Sequence, residues 1–176
     1  MPKRRTVPLV ALLVLSLASP AAGEPGPKTQ KAVRQEAFGF ASGMTLSRVS
    51  ALASVEKLQL AVNQYVTSSP PKPVWPLAKY VLYFRDSQLC AVGAISEAAP
   101  SESQRSAFAL LFSRMKRKYG RPTSEETPNG MGGTDTVVRW EEAQGPGTRI
   151  ALGAGNGFVS AIYEWAEDCM EDADGL

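Results

Sequence analysis

The sequence of 176 residues contains no histidine. This absence excludes the serine–histidine–aspartate triad, zinc sites built on imidazole, and acid–base catalysis by imidazole. Only two cysteines are present, with no Cys-x-x-Cys motif, so thiol redox chemistry and thiolate metal sites are not indicated. No apolar run reaches the roughly 20 residues that a membrane-spanning helix needs. We therefore expect no cofactor, no metal and no transmembrane segment, and we favour a protein that is not an enzyme.

The first residues have the pattern of an export signal. Basic residues at 3–5 precede an apolar run at 7–18, and small residues at 19–23 predict cleavage after Gly23. Removal of residues 1–23 takes away three of the 19 Lys and Arg residues and none of the 17 Asp and Glu residues. The remaining chain is nearly neutral, so it has no overall electrostatic attraction to nucleic acid. The sequence predicts a periplasmic or secreted protein.

The rest of the chain divides by composition into a short lead-in, one domain and a tail. Residues 24–36 are polar and proline-containing, and we expect a flexible lead-in there. Residues 37–169 are long enough for a single domain with its own core. Residues 170–176 are mostly acidic and predict a solvated tail.

Cys90 and Cys169 are the two cysteines of the predicted exported chain. An even number of cysteines in an oxidising compartment favours a disulfide over two free thiols. The bridge would close a loop of about 80 residues and contribute about 4–5 kcal/mol in the chain-entropy model. A catalytic thiol is disfavoured because no histidine is present to act as its base.

The clearest secondary-structure signal is a helix between Pro100 and Pro122. Helical spacing places five apolar side chains on one face: Phe108, Leu111, Phe112, Met115 and Tyr119. Ser101 and Gln104 predict a capping box at its start, and Gly120 predicts its end. The last turns of the helix and the residue after it carry a basic cluster: Arg114, Lys116, Arg117, Lys118 and Arg121. These cations suit the negative end of the helix dipole. The alternative is that they form a docking patch for an acidic partner.

The remaining patterns predict short strands and one shorter helix. Residues 46–53 have helical spacing with Thr45 as the cap, and alternation predicts strands at 37–41, 55–66, 80–84, 89–96, 136–141, 148–152 and 158–166. Residues 85–88 read as a hairpin connection. Consecutive strands without crossover helices predict an α+β fold, in which a long helix covers one face of an antiparallel sheet. The order suggests two helix-plus-three-strand repeats.

Two irregular segments supply the candidate binding residues. Residues 67–76 contain four prolines and predict a stiff loop carrying Val74 and Trp75. Residues 121–134 form a Gly/Pro-rich loop carrying Asn129 and Met131. A stiff loop loses little entropy on binding, so Trp75 and Met131 are the main candidates for recognition. The alternative is that Trp75 folds back over the sheet edge as a lid.

Other motifs have weaker functional meaning. The glycines at 153–157 lack the Lys-Ser/Thr of a phosphate loop and predict a hairpin turn at Asn156-Gly157. Five carboxylates near strand ends are candidates for a glycosidase pair, with a solvated sheet edge as the alternative: Glu141, Glu142, Glu164, Glu167 and Asp168. Trp140 and Trp165 lie on predicted strand faces and are expected in the core.

Several short motifs resemble a pattern in uncharacterised exported proteobacterial proteins: Phe38-Gly39-Phe40, Gly43-Met44-Thr45, Lys118-Tyr119-Gly120-Arg121-Pro122, Trp140 and Tyr163. The Gly-Met-Thr helix start and the repeat are also similar to the β-lactamase-inhibitor-protein-like architecture, which includes the small lipoprotein of the outer-membrane β-barrel assembly machine. The resemblance covers residues 37–166 and implies an α+β fold and a role in binding proteins. No lipid anchor or inhibitory residue carries over, because the chain lacks a cysteine near the cleavage point and any inhibitory loop motif.

These observations favour an exported, non-enzymatic protein-binding module of the bacterial envelope. Its expected partner is another envelope or secreted protein, not a nucleic acid. A hydrolase is one alternative, and it requires two of the candidate carboxylates to meet in a cleft. A small-ligand carrier is the other, and it requires an open apolar pocket on the sheet face.

Overall fold

The computed structural model describes residues 35–59, 61–126, 136–166 and 169. Its elements, in chain order, are β1 Glu36–Ala37, β2 Phe40–Ala41, α1 Leu46–Ser50, β3 Glu56–Lys57, β4 Gln64–Thr67, β5 Leu77–Arg85, β6 Gln88–Ser96, α2 Ser101–Tyr119, β7 Ser124–Glu126, β8 Thr136–Glu141, β9 Arg149–Gly155 and β10 Phe158–Glu164. In this part of the chain no helix is both long and apolar enough to cross a membrane.

Eight strands form one antiparallel sheet in the order β3-β4-β5-β6-β10-β9-β8-β7, and β1 pairs with β2 separately. This confirms the predicted α+β class and the antiparallel sheet. The hairpins β5–β6 and β9–β10 are closed by two-residue turns, which favour antiparallel pairing, and α2 lies between β6 and β7. Four strands follow each helix instead of the expected three, because the two-residue β3 and three-residue β7 add short edge strands.

The single strand expected over residues 55–66 is wrong. The chain reverses between β3 and β4, and Asn63 takes a positive φ of 58° at the turn. The amide of Leu58 then donates to the carbonyl of Gln64 over 3.0 Å. Asparagine tolerates this left-handed conformation better than most residues, so the local backbone preference outweighs the alternating pattern.

A second expected strand, over residues 37–41, is also divided. Glu36–Ala37 and Phe40–Ala41 pair as β1 and β2, with Phe38 and Gly39 at positive φ between them. Glu36, which the composition placed in the lead-in, therefore belongs to the folded domain. By contrast, α1 begins as predicted, because the Thr45 hydroxyl accepts a hydrogen bond from the amide of Arg48.

The long helix α2 covers the predicted residues, but the capping box is absent. Pro100 occupies the N-cap position and no side chain caps the helix. The Gln104 side chain instead donates to the carbonyl of Phe158 in β10 over 2.8 Å, so it is not available to the N-cap amide. The helix ends as predicted at Gly120, whose φ of 84° suits a residue without a side chain.

The face that α2 buries differs from the predicted aromatic stripe. The fully buried helix residues are Gln104, Ala107, Leu111 and Met115. The three aromatic residues expected in the core are only partly buried against it: Phe108, Phe112 and Tyr119. The buried face is thus rotated from the predicted one, and the aromatic rings pack at its flank. Phe112 contacts Trp140 of β8 in this way, with ring centroids 6.1 Å apart.

The core lies between the helices and one face of the sheet. Alternating residues of the long strands are buried there, among them Leu82 in β5, Val92 in β6, Leu152 in β9 and Val159 in β10. Trp140 and Trp165 are buried as expected. α2 packs against β9 and β10, on this same face. The opposite face carries half-buried residues such as Val81 and Ile162.

The predicted disulfide is confirmed. Cys90 of β6 is bonded to Cys169, with Cα atoms 5.8 Å apart. Both cysteines are buried and pack with Ala91, Tyr83 and Ala166. The bridge therefore fastens the segment after the last strand to a central strand of the sheet.

Candidate functional site

The proline loop between β4 and β5 carries the most exposed large aromatic side chain among the described residues. Trp75 has 69% of its surface exposed, so the expectation that it folds back as a lid is wrong. Its peptide bond to Pro76 is cis. The indole makes no hydrogen bond or ring contact within the described part of the chain, whereas the Trp75 carbonyl accepts a hydrogen bond from Arg114 of α2 over 3.5 Å.

The loop that presents Trp75 is held by hydrogen bonds on both sides of it. The amide of Val74 donates to the hydroxyl of Tyr80 over 3.1 Å, and that hydroxyl donates to the carbonyl of Leu77 over 3.1 Å. Burial raises the pKa of the Tyr80 phenol above its ordinary value, and the hydrogen bond from Val74 opposes this rise. The phenol thus stays protonated at neutral pH and can serve both bonds.

The same loop also docks on the β1–β2 hairpin. The amide of Lys72 donates to the carbonyl of Phe38 over 2.9 Å, and the Lys72 ammonium group pairs with the carboxylate of Glu36. A Cβ atom at Gly39 would lie 2.7 Å from the Cβ of Pro71, so only glycine permits this close approach. Backbone contacts therefore fix the loop while the Trp75 side chain remains free.

An open groove of about 690 Å³ lies beside Trp75. One wall is formed by Trp75 and the start of β5, and the other by the first half of α2. The connection from β6 to α2, residues 97–100, closes one side through Glu97, Ala98 and Ala99. The groove lining therefore combines one large exposed aromatic side chain with apolar residues such as Leu77 and with small and polar side chains.

The groove arises from the β5–β6 hairpin. Arg85 pairs with Gln88 across a two-residue turn, and at the other end of the hairpin Leu77 pairs with Ser96. The residues before β5 and those after β6 must therefore meet, which places Trp75 beside the β6–α2 connection. The sequence contained this signal, because the hairpin connection at 85–88 was predicted, but Glu97 and Glu102 were not identified as site residues.

Val74, a second predicted binding residue, does not line the groove beside Trp75. Val74 is half-buried against the core and lines a different cavity. Asn129 and Met131 lie outside the described residues, so their predicted role stays a prediction. Of the four candidates, the structure places only Trp75 at the groove.

Val74 lines a second cavity, of about 560 Å³, near the C-terminal end of α2. Its floor is a hydrogen-bonded network centred on Gln144. The Gln144 amide nitrogen donates to the hydroxyl of Tyr119 and to the carbonyl of Glu36, and its oxygen accepts from the Trp165 indole over 2.9 Å. All of the hydrogen-bonding capacity of the Gln144 side-chain nitrogen is thus used within the fold.

Tyr163 lies beside this network and is itself buried. Burial raises its pKa well above the ordinary value, and the neighbouring phenol of Tyr119 raises the pKa further. Phe38 packs edge-on against the Tyr163 ring, with centroids 5.2 Å apart. These contacts indicate a structural role for the second cavity, because its polar groups serve each other.

Two of the candidate carboxylates are separated by an arginine in the sheet. Glu141 and Glu164 lie on either side of Arg149, each paired with it in the strand register. The Arg149 Nε atom donates to Glu164 Oε2 over 3.0 Å, whereas Glu164 Oε1 is buried without a hydrogen-bond partner. Glu142 is exposed, and Glu167 and Asp168 lie outside the described residues.

The glycine-rich turn has a structural role, whereas the docking alternative for the basic cluster stays a prediction. Asn156 and Gly157 form the predicted hairpin turn between β9 and β10, both at positive φ. The basic cluster at the end of α2 is exposed, with the Lys118 ammonium 4.8 Å from the ring centroid of Tyr119. Within the described ranges, no group of three or more metal-ligating side chains comes together.

Comparisons with protein-family models, with curated proteins and with solved structures found no match to this chain.

Proposed function

We propose that this chain is an exported, non-enzymatic module that binds another protein through the groove beside Trp75. The observation that carries the proposal is the 69% exposure of Trp75 at the edge of a groove of about 690 Å³. Tryptophan is enriched among the residues that dominate protein–protein affinity, because one side chain buries a large area at a low entropic cost. An exposed indole beside a concave surface fits such an anchor.

The way the loop is held supports the same function. Its backbone is fastened to Tyr80, to the β1–β2 hairpin and to Arg114. A loop that is already fixed loses less conformational entropy when a partner binds, so more of the contact energy appears as affinity. The contacts leave the indole unused, which is the arrangement expected of a preorganised binding residue.

Export is supported by the disulfide and by the N-terminal sequence. Bonds such as Cys90–Cys169 persist in oxidising compartments and are rare in the cytosol. The signal peptide proposed for residues 1–23 would deliver the chain to such a compartment. We therefore propose that the partner is another envelope or secreted protein.

The sheet order supports the proposed internal repeat, with four strands in each unit instead of three. One unit is α1 with β3 to β6, and the other is α2 with β7 to β10. The last strands of the two units, β6 and β10, pair at the centre of the sheet, and β3 and β7 form its two edges. This arrangement is consistent with the resemblance to the β-lactamase-inhibitor-protein-like architecture and with a role in binding proteins.

In-cell cross-linking followed by purification of the tagged full chain tests the proposal. Three forms are compared: the wild type, Trp75→Ala and Val62→Ala. Val62 is a matched control, because it is 72% exposed and lies at the β3–β4 turn, outside the groove lining. We expect one dominant partner to be recovered with the wild type and with Val62→Ala, and to be lost with Trp75→Ala.

Recovery of the same partner with all three forms would show that the groove is not the binding site. Equal melting temperatures of the two variants are the necessary control, because they exclude loss of the fold as the cause of lost binding.

A further inference from the structure

The groove beside Trp75 has a charge of one sign. Glu97 in the β6–α2 connection and Glu102 in the first turn of α2 both line it, and no lysine or arginine among the described residues does. The Arg114 guanidinium lies outside this lining, at the Trp75 carbonyl. Both glutamates are exposed, and neither forms an ion pair within the described part of the chain. The carboxylates are thus available to a ligand, although the chain as a whole is close to neutral.

Part of this negative charge balances the helix dipole. The amino-terminal end of α2 carries a partial positive charge of about half a unit, and a glutamate in the first turn is stabilised by it. Glu102 therefore has a structural reason to be where it is. Glu97 lies before the helix, so the dipole does not account for its negative charge. That charge is complementary to a cation.

Trp75 and the small groove residues add a preference for a particular kind of cation. The indole is the aromatic ring that binds ammonium and guanidinium groups best, and its faces are exposed here. Ala78, Ala98 and Ala107 line the groove with short side chains, which let a ligand backbone approach closely. A volume of about 690 Å³ accommodates several residues of an extended chain.

We infer that the groove binds an extended basic segment of the partner protein. An arginine or lysine of that segment stacks on Trp75 and pairs with Glu97 and Glu102. The inference rests on the proposed function, since it assigns the chemistry of the partner at the same site. Guanidinium groups suit it best, because they stack on aromatic rings and bind carboxylates in the same plane.

Selection of random displayed peptides on the purified disulfide-bonded chain tests this chemistry. Peptides are selected on the wild type and counter-selected on Trp75→Ala, so that only groove-dependent sequences remain. We expect arginine and lysine to be enriched at one or more positions of these peptides. The affinity of the corresponding synthetic peptides should fall as ionic strength rises, because exposed charge pairs are screened by salt.

Two pairs of substitutions quantify the role of the carboxylates. The double variant Glu97→Gln, Glu102→Gln should weaken the selected peptides by roughly tenfold, as expected for two partly exposed ion pairs. The matched control is Glu56→Gln, Glu141→Gln, which changes the net charge equally at exposed positions outside the groove. We expect this control to change the affinity by less than about twofold, and Trp75→Ala to weaken it by at least about 30-fold.

Enrichment of uncharged or acidic peptides would overturn the inference while leaving the groove as a protein-binding site. Binding of a neutral polysaccharide that needs Trp75 but neither glutamate would also overturn it. Failure of the selection, while Trp75→Ala still abolishes capture of the cellular partner, would show that the occupant is not a linear basic segment. A different result would contradict the proposed function itself: the partner captured in cells would then be the same with and without Trp75.

Discussion

The two ends of α2 lie against very different surroundings. At its C-terminal end, the indole of Trp140 donates to the carbonyl of Gly120 over 3.0 Å, and Tyr119 joins the network of Gln144. At its N-terminal end, the helix has no side-chain cap and borders an open groove with Trp75 exposed. The difference is consistent with the proposal that contacts at the C-terminal end stabilise the fold, whereas the groove at the N-terminal end binds a partner.

The largest effect on stability is expected at the C-terminal end of α2. Trp140 is 1% exposed, contacts Phe112 and bonds to the backbone that ends the helix. Trp140→Ala should lower the free energy of unfolding by about 3–5 kcal/mol, because it leaves a cavity in the core and removes the hydrogen bond to Gly120. Chemical denaturation monitored by circular dichroism measures this. A loss below about 1 kcal/mol would show that the two ends do not differ as described.

Two buried glutamines give a matched comparison of the ends. Gln144 makes three side-chain hydrogen bonds, and Gln104 at the groove end makes one, to Phe158. Gln144→Ala should cost about 2–3 kcal/mol, because it leaves the Trp165 indole without its acceptor, whereas Gln104→Ala should cost about 1 kcal/mol. The same denaturation measurement applies to both. Equal losses of free energy would contradict the inference that the Gln144 network stabilises the fold more than the Gln104 hydrogen bond does.

Alkaline pH should lower the free energy of unfolding through Tyr163, which lies near the C-terminal end of α2. The pKa of Tyr163 is raised in the folded protein above the ordinary value of 10.0, so the unfolded chain loses this proton first as pH rises. The contribution of Tyr163 to the free energy of unfolding is therefore complete below pH 10. Above pH 10 it declines, by at most about 1.4 kcal/mol per pH unit for one such group. Denaturation midpoints at increasing pH measure the decline, and Tyr163→Phe should flatten it. An unchanged slope in that variant would assign the decline to other groups, such as Tyr80.

The smallest change in stability is expected at the groove beside the N-terminal end of α2. Trp75→Ala should alter the free energy of unfolding by less than about 0.5 kcal/mol, because the side chain is exposed and makes few contacts. Its effect on partner binding should nevertheless be the largest of all these substitutions. A marked fall in melting temperature would mean that Trp75 supports the fold and would remove the contrast between the two ends.

Local patterns predicted the parts of the fold that depend on neighbouring residues. The helix ending at Gly120, the strand Thr136–Glu141, the turn at Asn156-Gly157 and the Cys90–Cys169 bridge were all anticipated. The two cysteines allowed only one intramolecular pairing, so no geometry was needed for that prediction.

The errors arose where distant contacts outweigh local preference. Ser101 looked like a helix cap, but the Gln104 side chain is used by Phe158, 54 residues away in sequence. The aromatic stripe at Phe108 and Phe112 fits a buried helical face, yet the sheet receives the smaller residues beside it. The groove required the pairing of Leu77 with Ser96, which local periodicity alone does not specify.

Site-specific photocross-linking from α2 tests the central claim most directly. A photoreactive amino acid is placed at Ser103, which lines the groove, or at Ser113, which is exposed on the same helix outside it. We predict a discrete protein adduct from position 103 in cells, its loss on Trp75→Ala, and no adduct from position 113. An adduct from position 113 alone, or one from position 103 that persists without Trp75, would contradict the assignment of the groove as the binding site.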